Sequence, residues 1–333
     1  MTIVSPGTAG LPLLPVPGIP ARARRPASGT VAFTAGHHFT ADGLADPAAL
    51  GEAAAVPLSV IVQVTKRCDF NCGFCSETLQ MADPTLGQLA VIRANLEGVA
   101  RVFLSGGEPL LRQDLPEIAA MFSGFVIGLP TNATRGLVMA PRLAGKVAFV
   151  NIGFDGPRAT FARVRGDYDK AMTGVRAFQA AGLPVSLSAV VLRSTVHALP
   201  YLCQIADVLD AGKLKLILPL RKGNALGLPE REFISVDEAR DAFDHLTELR
   251  FVHDWRPAVR LTPWTAATEG HMIVVEPDGT AQAWPVYDQP DLFLRLGNLL
   301  TEPITAIWAR YPYKANHYAK YLGATISTLG RAA

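Results

Sequence analysis

The sequence predicts an α/β fold: an open, partial (β/α)6 barrel followed by a small α+β domain. Three observations carry this. From about residue 56, short β-branched runs alternate with helical stretches six times, and such alternation builds a parallel sheet with crossover helices. Six units fall short of the eight that close a full barrel. After about residue 232 the rhythm changes to a helix, a hairpin pattern and a last helix.

Residues 1–55 are rich in Pro, Ala and Gly and read as an extension or wrapping arm. The barrel is expected over 56–232. Its strands are Val56–Val64, Ala100–Leu104, Phe125–Leu129, Val147–Ile152, Val185–Leu192 and Leu214–Leu218. Its helices are 85–98, Leu115–Phe122, Leu137–Gly145, 158–181 and Leu199–Ala211. Residues 233–333 form the second unit. There Val236–Leu249 reads as a helix, Met272–Glu276 and Thr280–Trp284 as a hairpin around Pro277-Asp278-Gly279, and 302–311 as the last helix.

Composition excludes several classes. With 31 basic and 29 acidic residues the net charge is +2, which gives no electrostatic grip on nucleic acid or anionic lipid. Hydrophobic residues make up 49% and charged ones 18%, so the chain is not disordered. No apolar run reaches the roughly 18 residues of a membrane span. The apolar start is broken by Pro6, Pro12, Pro15, Pro17 and Pro20, and Arg22, Arg24 and Arg25 follow it, the reverse of a signal peptide. Four cysteines are no disulfide scaffold. A cytoplasmic protein with reduced thiols is expected. His37-His38 reads as a loop in the extension.

Thr65–Glu77 (TKRCDFNCGFCSE) places Cys68, Cys72 and Cys75 directly after the first strand, at the end where α/β sheets and barrels build active sites. Three thiolates there can hold three corners of a cubane iron–sulfur cluster and leave one iron open. A structural zinc site wants four protein ligands, and no histidine stands nearby. Three unrelated buried cysteines are the remaining alternative. Cys203 lies far away in a predicted amphipathic helix and reads as core.

This cysteine spacing, Phe74 before the last cysteine and the later Gly106-Gly107-Glu108-Pro109 together resemble the radical S-adenosylmethionine (SAM) superfamily. The resemblance covers roughly residues 56–232 and implies a radical SAM barrel. It implies one 4Fe–4S cluster on Cys68, Cys72 and Cys75, with SAM chelated at the open iron and cleaved to a 5′-deoxyadenosyl radical. A flavodoxin- or ferredoxin-type protein would supply the electron. Gly106, Gly107 and Glu108 would bind the SAM amino group, the glycines allowing close approach. Thr131 and Asn132, after the third strand, match the family's SAM-facing rim; a helix cap is the alternative. Asn151–Gly166 resembles the family stretch Ile-Ser-Leu-Asp-Gly-Pro…Arg-Gly, with Gly153 in place of its Ser. Asp155 and Gly156 match that stretch, and Arg165 matches its arginine before glycine, which the resemblance makes a partner for the SAM carboxylate; a solvated helix arginine is the alternative. Arg193, Arg221 and Lys222 stand at strand ends, as substrate contacts or as surface charges.

That stretch is typical of the branch with SPASM or twitch extensions. Residues 267–308 keep the SPASM turn pattern, but Ala267 and Trp284 stand where its first cysteines would sit, and no cysteine follows Cys203. A second cluster on cysteines is therefore not expected, which favours redox-neutral outcomes: elimination, rearrangement, epimerisation or decarboxylation. The expected substrate is a small molecule in specialised metabolism. A peptide-modifying maturase is the alternative among enzymes; a non-catalytic iron–sulfur or SAM-binding protein is the alternative of another class.

Overall fold

The computed structural model describes residues 23–24, 31–33, 39–41, 46–77, 80–286, 294–323 and 327–329. His37-His38 and most of the extension lie outside them. Short strands β1 (Ala23–Arg24), β2 (Val31–Phe33) and β3 (Phe39–Ala41) form a small antiparallel sheet. Helix α1 (Pro47–Ala53) follows, capped by Asp46, whose carboxylate accepts from the Ala48 and Ala49 amides.

The barrel runs β4 (Ser59–Thr65), α2 (Leu86–Asn95), β5 (Arg101–Gly106), α3 (Leu115–Met121), β6 (Val126–Thr131), α4 (Gly136–Leu143), β7 (Phe149–Gly153), α5 (Arg158–Val164), α6 (Tyr168–Ala180), β8 (Val185–Val190), α7 (Leu199–Val208) and β9 (Lys213–Ile217). Then come α8 (Val236–His253), β10 (Ala258–Thr262), β11 (Met272–Val275), β12 (Thr280–Trp284), β13 (Leu294–Asn298), α9 (Ile304–Ala309), α10 (Lys314–Tyr321) and β14 (Ser327–Leu329). One sheet takes the order β13-β12-β11-β4-β5-β6-β7-β8-β9-β10-β14. Strands β4 to β10 are parallel neighbours, and β11 also joins β4 in parallel. The fold is a partial barrel with a C-terminal α+β addition.

Alternation along each strand separates two faces. Val60, Val62 and Val64 of β4, Val102 and Leu104 of β5 and Leu214 and Leu216 of β9 are buried with Leu89 and Ile92 of α2 and Leu202 of α7 in the main core. Each such side chain contributes roughly 1.5–3 kcal/mol by burial. The opposite face carries Gln63, Asn151, Ser186, Ser188, Lys215 and Arg260, a polar lining that a solid barrel core would not hold. Helix α10 closes against α1.

Three expectations change. The helix expected over 158–181 is two helices, because Arg165 leaves helical geometry (φ −124°, ψ −71°) and Asp167 caps a new start by accepting from Lys170 N. The sheet also continues past six strands: Ala258–Thr262 extends it as β10 beside β9. Its strand pattern was masked by the charge of Arg260. The last helix, expected over 302–311, is the shorter α9, and α10 follows it. No helix among the described residues is long and apolar enough to cross a membrane.

Candidate functional site

The cysteine loop leaves β4 at its carboxyl end and folds back on itself, with Cys75 N donating to Cys72 O at 3.1 Å. Cys68 is exposed, Cys75 half-buried and Cys72 buried. Cys72 and Phe74 form a small apolar cluster with Leu192, flanked by Phe70, Val164 and Leu228. The three thiols lie near enough for the charge of Cys72 to act on Cys68 and that of Cys75 to act on Cys72. Amides also reach the sulfurs: Phe70 N donates to Cys68 Sγ and Glu77 N to Cys75 Sγ, both at 3.4 Å. Burial pushes the Cys68 thiol up to about 11 and raises Cys72 and Cys75 as well; the nearby Arg165 guanidinium opposes the rise at those two. Among the described residues no three His, Cys, Asp or Glu side chains converge on a single-ion site. A cubane instead takes each thiolate on a different iron, so loosely spaced cysteines with amide donors to sulfur fit it.

Gly106-Gly107-Glu108 packs beneath this loop. Gly107 N donates to Thr65 O at 2.9 Å and Glu108 N to Arg67 O at 2.8 Å. A Cβ on Gly107 would sit 2.5 Å from Arg67 O and 2.6 Å from Lys66 O. The close approach that needs glycine is therefore to the cysteine loop's own backbone. Glu108 is buried and accepts from Leu110 N at 2.9 Å, Thr131 Oγ1 at 2.7 Å and Asn132 N at 2.6 Å. Burial nevertheless pushes its carboxyl up to about 7.

Thr131 and Asn132 complete this latch. Asn132 Nδ2 donates to Asp69 Oδ1 at 2.7 Å, and Asn132 Oδ1 accepts from Thr134 N at 3.0 Å. One carboxylate and one amide so join the loops after β4, β5 and β6. Neither residue caps a helix; α4 begins after Arg135.

Arg165 stands at the break between α5 and α6. Its Nε pairs with Asp155, which is fully buried and also accepts from Val190 N at 2.6 Å. The guanidinium lies 5.0 Å over the Phe74 ring. A Cβ on Gly153 would sit 2.6 Å from its terminal atoms, so the glycine leaves room for the arginine. Lys66 is buried and bridges Glu77, at 2.6 Å, to Glu276 at the end of β11.

The structure thus brings together Cys68, Cys72, Phe74, Cys75, Gly106, Gly107, Glu108, Thr131, Asn132 and Arg165. It leaves Arg193 on the surface, paired with Glu238, and Arg221 outside, paired with Glu230 and stacked 3.9 Å over Phe233. Cys203 is buried in the core, its thiol pushed up to about 12 by burial. Sequence reasoning missed Asp69, Lys66, Glu77 and Glu276, and matched Asp155 to the family stretch without its pairing to Arg165. The first three flank the cysteines, a signal that was present; Glu276 is distant in sequence and gave none.

Residues 62–199 match the Radical SAM superfamily. A PqqA peptide cyclase of Rhodopseudomonas palustris is 32% identical over 183 residues, 50% of this chain and 48% of the relative. A pre-heme d1 synthase of Dinoroseobacter shibae is 33% identical over 172 residues, 48% of this chain and 42% of the relative. The chain thus spans about half the length of these relatives. The crystal structure of Streptococcus suis SuiB bound to precursor peptide SuiA shares the fold, with a TM-score of 0.66 at 14% identity, covering 82% of this chain and 72% of SuiB.

Proposed function

We propose, from the premise that residues 62–199 are a radical SAM domain, that this chain is a radical SAM enzyme with one 4Fe–4S cluster and that it modifies a peptide. The carrying observation is the latch under the cysteine loop: Gly107, Glu108, Thr131 and Asn132 hold three loop ends as one platform at the carboxyl end of the barrel. The names of the PqqA cyclase and of the SuiB–SuiA complex favour a peptide over the small molecule expected from sequence. The pre-heme d1 synthase supports the small molecule as a second reading.

Cys68, Cys72 and Cys75 would hold the cluster. When bound, cluster and SAM supply a 5′-deoxyadenosyl radical that takes a hydrogen atom from carbon. This chain's residues orient and shield. Phe74 and Leu192 exclude water from the side of Cys72. Arg165, fixed by Asp155, keeps its terminal nitrogens for the SAM carboxylate. Glu108 positions the loops through its three accepted bonds, and Gly106 and Gly107 would offer their backbone to the SAM amino group. Exposed Cys68 marks the side for a flavodoxin- or ferredoxin-type electron donor.

The test is anaerobic. The protein is reconstituted with iron and sulfide, given dithionite and SAM, and assayed for 5′-deoxyadenosine. Formation in wild type and loss in Cys72→Ala is the expected result. Equal formation in both refutes the ligand assignment. No formation despite SAM retention in equilibrium dialysis supports the non-catalytic alternative.

A further inference from the structure

The inner face of the barrel carries cations that the proposed handling of SAM does not use. On β9, Leu214 and Leu216 point to the core, so Lys213 and Lys215 point inward. On β10, Val259 and Leu261 take the core side and Arg260 the inside, next to Lys215 in the parallel register. Lys320 of α10 is within reach of the charges of Lys215 and Arg101, and burial and then these two lower its ammonium well below its ordinary value. Arg101 belongs to β5, with three strands between it and β9, yet its charge acts on Lys215. The charge of Arg101 acts on Lys320 as well. The rings of Phe39, Tyr321 and Phe103 surround Arg101 at 4.7, 4.9 and 5.0 Å.

Among the described residues no carboxylate pairs with Lys215, Arg260 or Lys320, and the only charged neighbours that act on Lys215 and Lys320 are cations. Arg260 Nε is shielded from water and has no hydrogen-bond partner. Burial, then the charges of Arg101 and Arg260, push Lys215 down to about 8. Like charges gathered away from water are costly. Lys215 and Arg260 are half-buried, not sealed, so a ligand can reach them.

We infer that the cations of β9 and β10, Lys215 beside Arg260, together with Lys320 of α10, form a seat for an anionic group of the substrate, a carboxylate or a phosphate. Arg260 offers the planar fork that matches either oxyanion. The inference deepens the proposed function and rests on it: it gives the enzyme an acidic substrate, a peptide with a carboxylate side chain or a phosphorylated one.

Thermal unfolding of the reconstituted protein, with and without SAM, tests it as tricarballylate or inorganic phosphate is added at ionic strength held constant with sodium chloride. A saturating rise in the midpoint is expected. A larger rise with tricarballylate identifies a carboxylate, and a larger rise with phosphate a phosphorylated group. Lys215→Met and Arg260→Gln each weaken the anion about ten-fold or more. Lys215→Met also raises the anion-free midpoint, because a repelled charge has gone. A midpoint unmoved by both anions, equal shifts in wild type and variants, or an anion-free midpoint lowered by Lys215→Met overturns the seat. 5′-Deoxyadenosine is assayed in parallel. Cleavage without anion binding removes the seat and keeps the radical chemistry; anion binding without cleavage does the reverse.

Discussion

Gly153 and Arg165 form one unit, twelve residues apart in sequence. The arginine lies where a Cβ on Gly153 would stand and is pinned there by Asp155. Gly153→Ser is therefore expected to displace the guanidinium from Phe74 and to weaken SAM binding in equilibrium dialysis, while iron content stays at the wild-type level. Lys215 gives a second prediction at this scale. Its folded value of about 8 lies below the ordinary 10.5. The unfolded chain therefore holds the proton more tightly, and stability rises as pH climbs from about 8 towards 10.5. Lys213, pushed down to about 7 by burial and then by the charges of Lys215, Arg260 and Arg101, adds to the same trend, because Lys215→Met removes one of those charges. The stability advantage of Lys215→Met at pH 7 should accordingly narrow across that window in urea titrations; a gap constant with pH contradicts the assignment.

Among the elements, the joint between α5 and α6 matters most. A single helix over 158–181 would carry Arg165 on its surface. The break, held by the cap of Asp167 on α6, turns it towards the cysteine loop. Asp167→Ala should lower the denaturant midpoint by removing the cap of α6 and loosen SAM binding. The latch is the second joint. Gly107→Ala places a methyl group against two carbonyl oxygens that cannot retreat without moving Lys66 and Arg67. It should lower both stability and iron retention, and reconstituted absorbance near that of wild type would disprove the packing argument.

For the whole molecule, Lys66 ties the C-terminal hairpin to the cysteine loop through Glu276 and Glu77. Lys66→Met leaves two carboxylates facing each other without a cation and should cost roughly 3 kcal/mol, visible as a lower urea midpoint. Iron should titrate to about four per chain, the content of one cubane; about eight would show a second cluster in the C-terminal part.

The sequence by itself determined the alternation that makes a parallel sheet, the position of Cys68, Cys72 and Cys75 at a strand's carboxyl end, and the glycines and Glu108 that follow the next strand. These are local patterns, set by period-2 alternation and by spacing along one loop. Tertiary structure alone decided the rest. Glu108 became a latch because β6 delivers Thr131 and Asn132 to it, and Glu276 reached Lys66 because β11 lies beside β4. Lys215 and Arg260 became neighbours because β10 lies beside β9 in parallel register. Contacts between residues far apart in the chain depend on strand order and curvature, which no local pattern encodes.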